Sequence, residues 1–314
     1  SGPVEGSPVG TRPAAGTAPD LGLIGRSEAI ETLRQQIRRV AAPHSTVLIR
    51  GESGTGKEVA ARAIHSLSPR SDKPFVPVNC ASIPEGLVEA ELFGHAQGAY
   101  TGAVKARTGL VEAADSGALF LDEIGELAPA AQARLLRVLQ EGEIRPVGAN
   151  QARQVDIRLL GRTPTRTNAR IIAATHRDLE AMIEAQAFRA DLYYRLRVLE
   201  IWIPPLRERP EDLEPLARHC LRELRQRLGR EELSLGEDTL ARMRTYDWPG
   251  NVRELKNALE RAAVLSEGSR IEWEHLGLES APAEPRAQGA SLSDYFRRFV
   301  LENQAHMNET ELAR

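Results

Sequence analysis

The octet GESGTGKE at residues 51–58 has the residue types and spacing of a phosphate-binding loop. Gly51 and the pair Gly56-Lys57 satisfy the pattern G-x-x-x-x-G-K, between an apolar run and a stretch that favours a helix. Glycines let backbone N–H groups wrap phosphate closely, and the lysine reaches the β- and γ-phosphates. The candidate nucleotide-binding residues are Gly51, Glu52, Ser53, Gly54, Thr55, Gly56, Lys57 and Glu58.

One position of this octet departs from the general pattern. Glu58 stands where a serine or threonine ordinarily helps to hold Mg²⁺, so the metal must rely on other carboxylates or on water. Such carboxylates end the apolar run in ALFLDEIGEL, residues 118–127, which predicts a buried parallel strand with acids at its carboxyl end. We expect Asp122 to hold Mg²⁺ through water and Glu123 to polarise the water that attacks the γ-phosphate.

Between these two motifs lies a segment of small residues, GAYTGA. Its glycines and alanines flank one aromatic ring and one hydroxyl, and glycine disfavours an ordered helix or strand. The composition fits a mobile tip that contacts a partner, and it fits equally a hairpin whose tyrosine folds back onto the core. The segment consists of Gly98, Ala99, Tyr100, Thr101, Gly102 and Ala103.

Six motifs in this order closely resemble the AAA+ domain of bacterial enhancer-binding proteins, the NtrC-like activators of sigma-54-dependent transcription. They are GESGTGKE, FVPVNCASIPEGLVEAELFGHAQGAYTGA, GALFLDEIGEL, FRADLYYRL, PPLRERPEDL and WPGNVRELKN, within residues 21–278. The resemblance implies an ATPase that uses ATP and Mg²⁺, assembles into a ring, expected to be a hexamer, and contacts sigma-54 through the GAYTGA loop. In that family the loop usually reads GAFTGA, so Tyr100 keeps the aromatic face and adds a hydroxyl. The family also accepts glutamate at the position of Glu58.

The resemblance also implies roles for single residues. Asn79 matches the asparagine that pairs with the water-activating glutamate, which implies an Asn79–Glu123 switch that reports the γ-phosphate. Arg189 and Arg195 match arginines that reach into a neighbour's ATP site, where a cation supplied in trans offsets the charge on the transferred phosphoryl group. Arg253 matches the sensor arginine of the lid. Without these motifs, each arginine would be interpreted as part of a surface ion pair.

Two features depart from the family pattern. His176 stands at a sensor position where the family usually has asparagine, and both a changed sensing geometry and a tolerated variant stay open. The stretch GRTPTRTNA, residues 161–169, is additional and lengthens a hairpin that the resemblance places beside the sigma-54-contacting loop. Basic residues suggest that this hairpin approaches promoter DNA or an acidic patch of sigma-54, although a solvated loop of tolerated length is the favoured alternative. They are Arg153, Arg158, Arg162, Arg166 and Arg170.

The composition is that of a globular protein, with 314 residues of which 41% are hydrophobic and 27% charged. A net charge of −3 excludes a chain that is basic throughout and grips nucleic acid with its whole surface. No apolar run approaches the roughly 20 residues that span a bilayer, so no membrane association is expected. Cys80 and Cys220 lack the spacing of a metal site or disulfide framework, which fits the reducing cytoplasm.

The pattern along the chain predicts an α/β fold, an AAA+ P-loop NTPase with a parallel sheet followed by a smaller helical lid. We expect a linker at 1–20, the nucleotide-binding subdomain at 21–205, the lid at 206–278 and a second linker at 279–290. Residues 291–314 resemble the start of a Fis-type helix-turn-helix domain that is incomplete here and would bind enhancer DNA, with a packing or dimerisation helix as the alternative.

The sequence therefore predicts an ATP-driven activator that remodels closed promoter complexes of sigma-54 RNA polymerase through its GAYTGA loop. One alternative is an AAA+ unfoldase or remodeller of another target, which would need an aromatic-hydrophobic-glycine pore loop that GAYTGA does not provide. Another is a DNA-binding repressor with a vestigial ATPase core, against which the intact Lys57, Asp122 and Glu123 argue.

Overall fold

The computed structural model describes residues 21–99, 105–144, 147–148, 165–166, 169–266 and 268–278. The predicted linkers, residues 100–103 of the GAYTGA loop, the C-terminal segment and most of the additional hairpin lie outside these ranges. In the described part, the strands are β1 Val47–Arg50, β2 Phe75–Asn79, β3 Ala118–Asp122, β4 Glu143–Ile144, β5 Thr165–Arg166, β6 Arg170–Thr175, β7 Leu199–Trp202, β8 Ser234–Leu235 and β9 Arg270–Ile271.

Helices alternate with these strands in the first two thirds of the chain and dominate afterwards. Within the same ranges they are α1 Glu28–Ala41, α2 Lys57–Ser66, α3 Glu85–Phe93, α4 Leu110–Ala113, α5 Pro129–Glu141, α6 Leu179–Glu184, α7 Ala190–Leu196, α8 Leu213–Leu228, α9 Glu237–Thr245 and α10 Asn251–Leu265. Short 3-10 helices add Cys80–Ser82, Ile124–Glu126, Leu206–Glu208, Pro210–Asp212 and Trp273–Leu276.

Five strands form one parallel sheet in the order β2-β3-β6-β1-β7. Successive residues of a strand point to opposite faces, so an apolar run fills two layers at once. In β3, Leu119 and Leu121 belong to one core cluster, whereas Ala118 and Phe120 belong to the cluster on the other face. The predicted parallel α/β sheet is confirmed, and its strand ends bring the chemical motifs to one edge.

The first residue of β6 has a structural role that corrects one expectation. The sequence groups Arg170 with the basic residues of the additional hairpin. In the structure its side chain is buried and donates to the carbonyls of Val40, Ala41 and Ser45. The bonds to Val40 and Ala41 satisfy carbonyls that α1 leaves unpaired at its carboxyl end. Burial lowers the pKa of the Arg170 guanidinium to about 10. Arg170 therefore belongs to the core and offers no charge to a partner.

A third core cluster forms the helical lid, which confirms the predicted second unit of the fold. It begins at Leu206 and includes the apolar faces of α8 and α10 around the buried Trp248. The Trp248 indole N–H donates to the Met243 carbonyl over 2.9 Å and fixes the turn between α9 and α10. The segment DWPG separates these two helices, and Gly250 occupies the N-cap position of α10.

No helix in the described ranges is both long enough and apolar enough to cross a lipid bilayer.

Candidate nucleotide site

The phosphate-binding loop connects β1 to α2 and packs directly against the lid. Gly54 has a φ of 80°, and a Cβ there would lie 2.3 Å from the Gly250 carbonyl oxygen, so only glycine fits. The same contact brings the first turn of α10 to the loop, because the Val252 N–H donates to the Gly54 carbonyl over 3.1 Å. A carbonyl of the phosphate-binding loop thus satisfies an N–H that the start of a helix leaves unpaired.

The predicted lysine and the predicted glutamate meet at this loop. Lys57, only 6% exposed, donates from Nζ to the carbonyls of Gly51 and Glu52 over 3.0 and 3.2 Å. Its Nζ also lies 3.6 Å from Oε1 of Glu123, the residue that follows β3. Two motifs that are 66 positions apart therefore face one small volume.

Asp122 lies beside Glu123 at the carboxyl end of β3. Burial, together with the charge of Glu123, raises the pKa of Asp122 above its ordinary value, and the charge of Lys57 only partly offsets this. Two adjacent carboxylates with an excess of negative charge favour binding of a divalent cation. In the described residues no group of three or more His, Cys, Asp or Glu side chains is arranged to hold a metal. Mg²⁺ normally takes one or two carboxylates together with phosphate and water, so Asp122 fits such a site.

Glu58, the other unusual carboxylate of the octet, is exposed. It accepts hydrogen bonds from Arg62, one turn further along α2, over 2.6 and 3.0 Å. Its charge nevertheless makes a small contribution to the raised pKa of Asp122. The structure gives Glu58 an ion-pair partner that does not depend on a metal.

Glu123 is held by the residue at the unusual sensor position. Nδ1 of His176 lies 2.7 Å from Oε2 of Glu123, and the His176 backbone N–H donates to the same oxygen over 3.3 Å. Burial acts to raise the pKa of Glu123, but the His176 hydrogen bond and the Lys57 charge outweigh it, so the pKa is lowered. Glu123 itself has a left-handed backbone with a φ of 54°, which turns its side chain away from the strand direction.

Asn79 ends the neighbouring strand, in register with Asp122, but its side chain makes a different contact. Its Oδ1 accepts from the Ala81 N–H over 2.9 Å and caps the short helix Cys80–Ser82. The predicted Asn79–Glu123 pair is therefore not made in this structure.

Burial, with the charges of Asp122 and Glu123, raises the pKa of the Cys80 thiol to about 12, so this cysteine stays protonated.

The lid contributes one predicted residue and two that sequence reasoning missed. Arg253 donates to the Ser53 hydroxyl over 2.8 Å, so the expected sensor arginine does lie at the phosphate-binding loop. Asn251, fully buried, donates to the Ser53 carbonyl and to Glu52 and accepts from the Leu206 N–H. The WPGN motif contains Asn251, but nothing in its spacing shows that the amide reaches across to the loop.

Glu52 has the other partner that sequence reasoning missed. Its carboxylate accepts two hydrogen bonds from the Arg207 guanidinium, one of 2.8 Å, in the bidentate arrangement that fixes both side chains. These bonds, with a smaller contribution from Asn251, outweigh burial and hold the pKa of Glu52 below its ordinary value. The carboxylate of Glu52 therefore faces the lid.

The two remaining predicted arginines lie away from this chain's own phosphate-binding loop. Arg189 precedes α7 and pairs with Asp191 over 2.7 Å, whereas Arg195 reaches the Leu139 carbonyl at 3.4 Å. Both are exposed. Within the described residues, they are not brought together with Lys57 and Glu123.

The GAYTGA segment begins on a defined stem. His95 and Arg107 exchange backbone hydrogen bonds of 3.0 Å, and the Ala96 N–H donates to the Val147 carbonyl. Ala99 lies against Gly148, where a Cβ would approach it to 2.7 Å. The base of the loop is thus joined to residues 147–148. Tyr100, Thr101, Gly102 and Ala103 lie outside the described residues.

A parallel sheet with a phosphate-binding loop after β1, and a helical lid bonded to that loop, defines a P-loop NTPase of the AAA+ type. Comparison with known proteins narrows this class: residues 23–202 match the Sigma-54 interaction domain and residues 207–292 match the AAA+ ATPase lid domain. The chain belongs to the family of sigma-54-dependent transcriptional activators.

Relatives of this family are similar over most of the chain. The Nif-specific regulatory protein of Azotobacter vinelandii is 49% identical over 272 residues, covering 87% of this chain and 50% of that protein. The transcriptional regulatory protein ZraR of Escherichia coli K12 is 49% identical over 265 residues, covering 84% of this chain and 57% of that protein. The chain therefore spans about half the length of these relatives.

A solved structure has the same fold. NtrX from Brucella abortus, crystallised in complex with ATP, superimposes with a TM-score of 0.72 at 34% identity, over 84% of this chain and 57% of that chain. Its complex with ADP gives a TM-score of 0.73.

Proposed function

We propose that this chain hydrolyses ATP with Mg²⁺ and uses the energy to remodel closed sigma-54 RNA polymerase promoter complexes through its GAYTGA loop. The observation that carries the proposal is the 3.6 Å approach of Lys57 Nζ to Glu123 Oε1. At this distance one nucleotide can contact both Lys57, which would bind its γ-phosphate, and Glu123, which would activate the attacking water. Asp122 would hold Mg²⁺, which supplies charge neutralisation on the phosphates. The NtrX complex with ATP supports the same ligand in this related fold.

The connection from this site to the loop supports mechanical coupling. The GAYTGA loop lies in the chain between the end of β2 at Asn79 and the end of β3 at Asp122. Helix α3 leads into it, α4 leads out of it, and these two helices pack against each other. A change at the strand ends that switches Glu123 between partners therefore shifts the elements that support the loop stem.

The two exposed arginines support assembly into a ring. Arg189 and Arg195 are exposed on and beside α7, where a neighbouring copy can receive them, and a cation supplied in trans stabilises the transferred phosphoryl group. Each site would then consist of Lys57, Asp122 and Glu123 from one subunit and both arginines from the next. We further propose that the protein acts in the cytoplasm and binds enhancer DNA through the C-terminal domain that begins near residue 291.

Hydrolysis of ATP and contact with sigma-54 depend on different residues, so the decisive experiment measures both the ATPase rate and promoter opening. Glu123→Gln should lower the ATPase rate by about 100-fold or more, because the general base is lost, and should abolish promoter opening. Tyr100→Ala should keep the ATPase rate within about twofold and abolish opening, because it removes the aromatic contact alone. Tyr100→Phe, which keeps the ring, is the matched control and should both hydrolyse ATP and open the promoter. The rate per subunit should also rise with protein concentration as rings assemble.

The alternatives give different results in the same assays. A repressor with a vestigial core would release no phosphate from ATP above the Glu123→Gln background. A remodeller of another target would hydrolyse ATP yet leave sigma-54 promoter complexes closed. A rate per subunit that is independent of concentration would contradict the arginines acting in trans.

A further inference from the structure

Two polar side chains, Asn79 and His176, stand at the ends of the two strands that flank the strand of Glu123. Asn79 ends β2, in register with Asp122, and His176 follows β6 on the other side of β3. β3 lies between β2 and β6 in the sheet, so Glu123 at its end has Asn79 on one side and His176 on the other. In this structure it has turned to His176, and the Asn79 amide oxygen caps Ala81 instead.

The contact with His176 fixes one oxygen of the carboxylate and leaves the other available. An ionised carboxylate only accepts hydrogen bonds, so the imidazole carries a proton on Nδ1 and donates it to Oε2 over 2.7 Å. The backbone N–H of His176 supports the same oxygen. Oε1 remains on the side of Lys57, at 3.6 Å, where the γ-phosphate would lie. This is the orientation that a general base needs to meet water beside a phosphate.

We propose that His176 is a positioning residue that holds Glu123 facing Lys57 and prevents its capture by Asn79. The inference rests on the proposed ATPase activity and assigns a role to a residue that the family pattern left unexplained. The His176 side chain is 42% exposed and the Glu123 side chain 16% exposed, so the bond joins a solvent-accessible imidazole to a mostly buried carboxylate.

Replacing the imidazole in two ways tests the role of its Nδ1–H. His176→Ala should lower kcat about tenfold and change KM less than twofold, because the base remains but is misplaced. His176→Asn should restore most of kcat, because the asparagine amide nitrogen is the same number of bonds from the backbone as Nδ1 and can donate in its place. The matched control is His219→Ala in the lid. His219 is a similarly exposed histidine that pairs with Glu223 over 3.2 Å, and its loss should leave kcat unchanged.

A double substitution tests the competition itself. If His176→Ala is slow because Asn79 captures Glu123, then adding Asn79→Ala should raise kcat above that of His176→Ala alone. A merely structural role for His176 predicts the opposite, since two losses of packing would add. The melting temperature of each variant is measured alongside, and His176→Asn keeps the test decisive if His176→Ala is poorly folded.

The outcomes separate this inference from the function on which it rests. Wild-type protein that turns over ATP no faster than Glu123→Gln would refute the proposed hydrolysis. Wild-type protein that is far faster than Glu123→Gln, with His176→Ala equal to wild type, refutes the positioning role alone. The role is also refuted if His176→Asn is as slow as His176→Ala, or if the double variant is slower than His176→Ala.

Discussion

The two sides of the phosphate-binding loop are held in different ways. On the lid side, residues 52–55 are held by hydrogen bonds, and Asn251 and Arg207 connect the loop to the core of the lid. On the strand side, Asp122 and Glu123 stand together as adjacent carboxylates with one buried lysine between them and the loop. The first side holds residues 52–55 through internal hydrogen bonds, whereas the second retains charge that a ligand can neutralise.

This difference separates stability from chemistry within one short loop. Satisfied buried hydrogen bonds fix a geometry, and each becomes costly when a partner is lost. Neighbouring like charges have the opposite effect, because the folded protein would be more stable without one of them. Substitution on the lid side should therefore lower stability, whereas loss of the Asp122 charge on the strand side should raise stability and abolish activity.

The largest stability change is expected at Asn251. Asn251→Ala leaves the Leu206 N–H and the Ser53 carbonyl without their partner, in a residue whose φ of 52° also disfavours alanine. We expect the free energy of unfolding to fall by about 2–3 kcal/mol, measured by urea denaturation. Asn257→Ala, an exposed position on the same helix, is the control and should change it little. Equal effects of the two substitutions would contradict the lid side as a stabilising contact.

A smaller loss is expected at Glu52. Glu52→Gln removes the charge from a partly exposed ion pair with Arg207, which should lower the free energy of unfolding by up to about 1 kcal/mol at neutral pH. Because the folded-state pKa of Glu52 is lowered, its contribution is present above the ordinary glutamate pKa and is lost as pH falls through the lowered value. The gap between variant and wild type should close over that acidic window. A gap that widens on acidification would show that the pair does not stabilise the ionised form.

The smallest change, with the opposite sign, is expected at Asp122. Its raised pKa means that the ionised form is disfavoured by folding, so Asp122→Asn should increase the free energy of unfolding by roughly 0.5 kcal/mol at neutral pH, after screening by solvent. The gain should vanish below the ordinary aspartate pKa, where the wild-type carboxyl is protonated in both states. Thermal melts without nucleotide or metal would measure it, and ATPase activity should be lost at the same time. A destabilised Asp122→Asn variant at neutral pH would remove the contrast between the two sides.

Local patterns predicted much of this arrangement because they depend on nearby residues. The apolar run before the octet and the run in ALFLDEIGEL became strands β1 and β3 of the main sheet, since continuous apolar residues suit strands that are covered on both faces. The octet formed the loop between β1 and α2, and the LFLDE motif delivered its acids at the same edge. Arg253 reached the phosphate-binding loop as the motif resemblance implied.

Contacts between distant segments were predicted less well. Arg170 looked like a surface charge because the sequence shows its basic neighbours and not the end of α1 that it caps. Arg207 and Asn251 lie in recognisable motifs, yet their contact with Glu52 depends on how the lid packs. The partner of Glu123 depended on which neighbouring strand end came within reach.

The order of apolar runs and the spacing of glycine, lysine and acids determined by themselves that this chain folds as a phosphate-binding α/β protein with a helical lid. Those features act through local backbone preference and burial, which a linear sequence records. Only the tertiary structure decided that Glu123 bonds to His176 and that the lid is hydrogen-bonded to the phosphate-binding loop through Asn251. Such choices depend on ångström-scale distances between segments that are far apart in the chain.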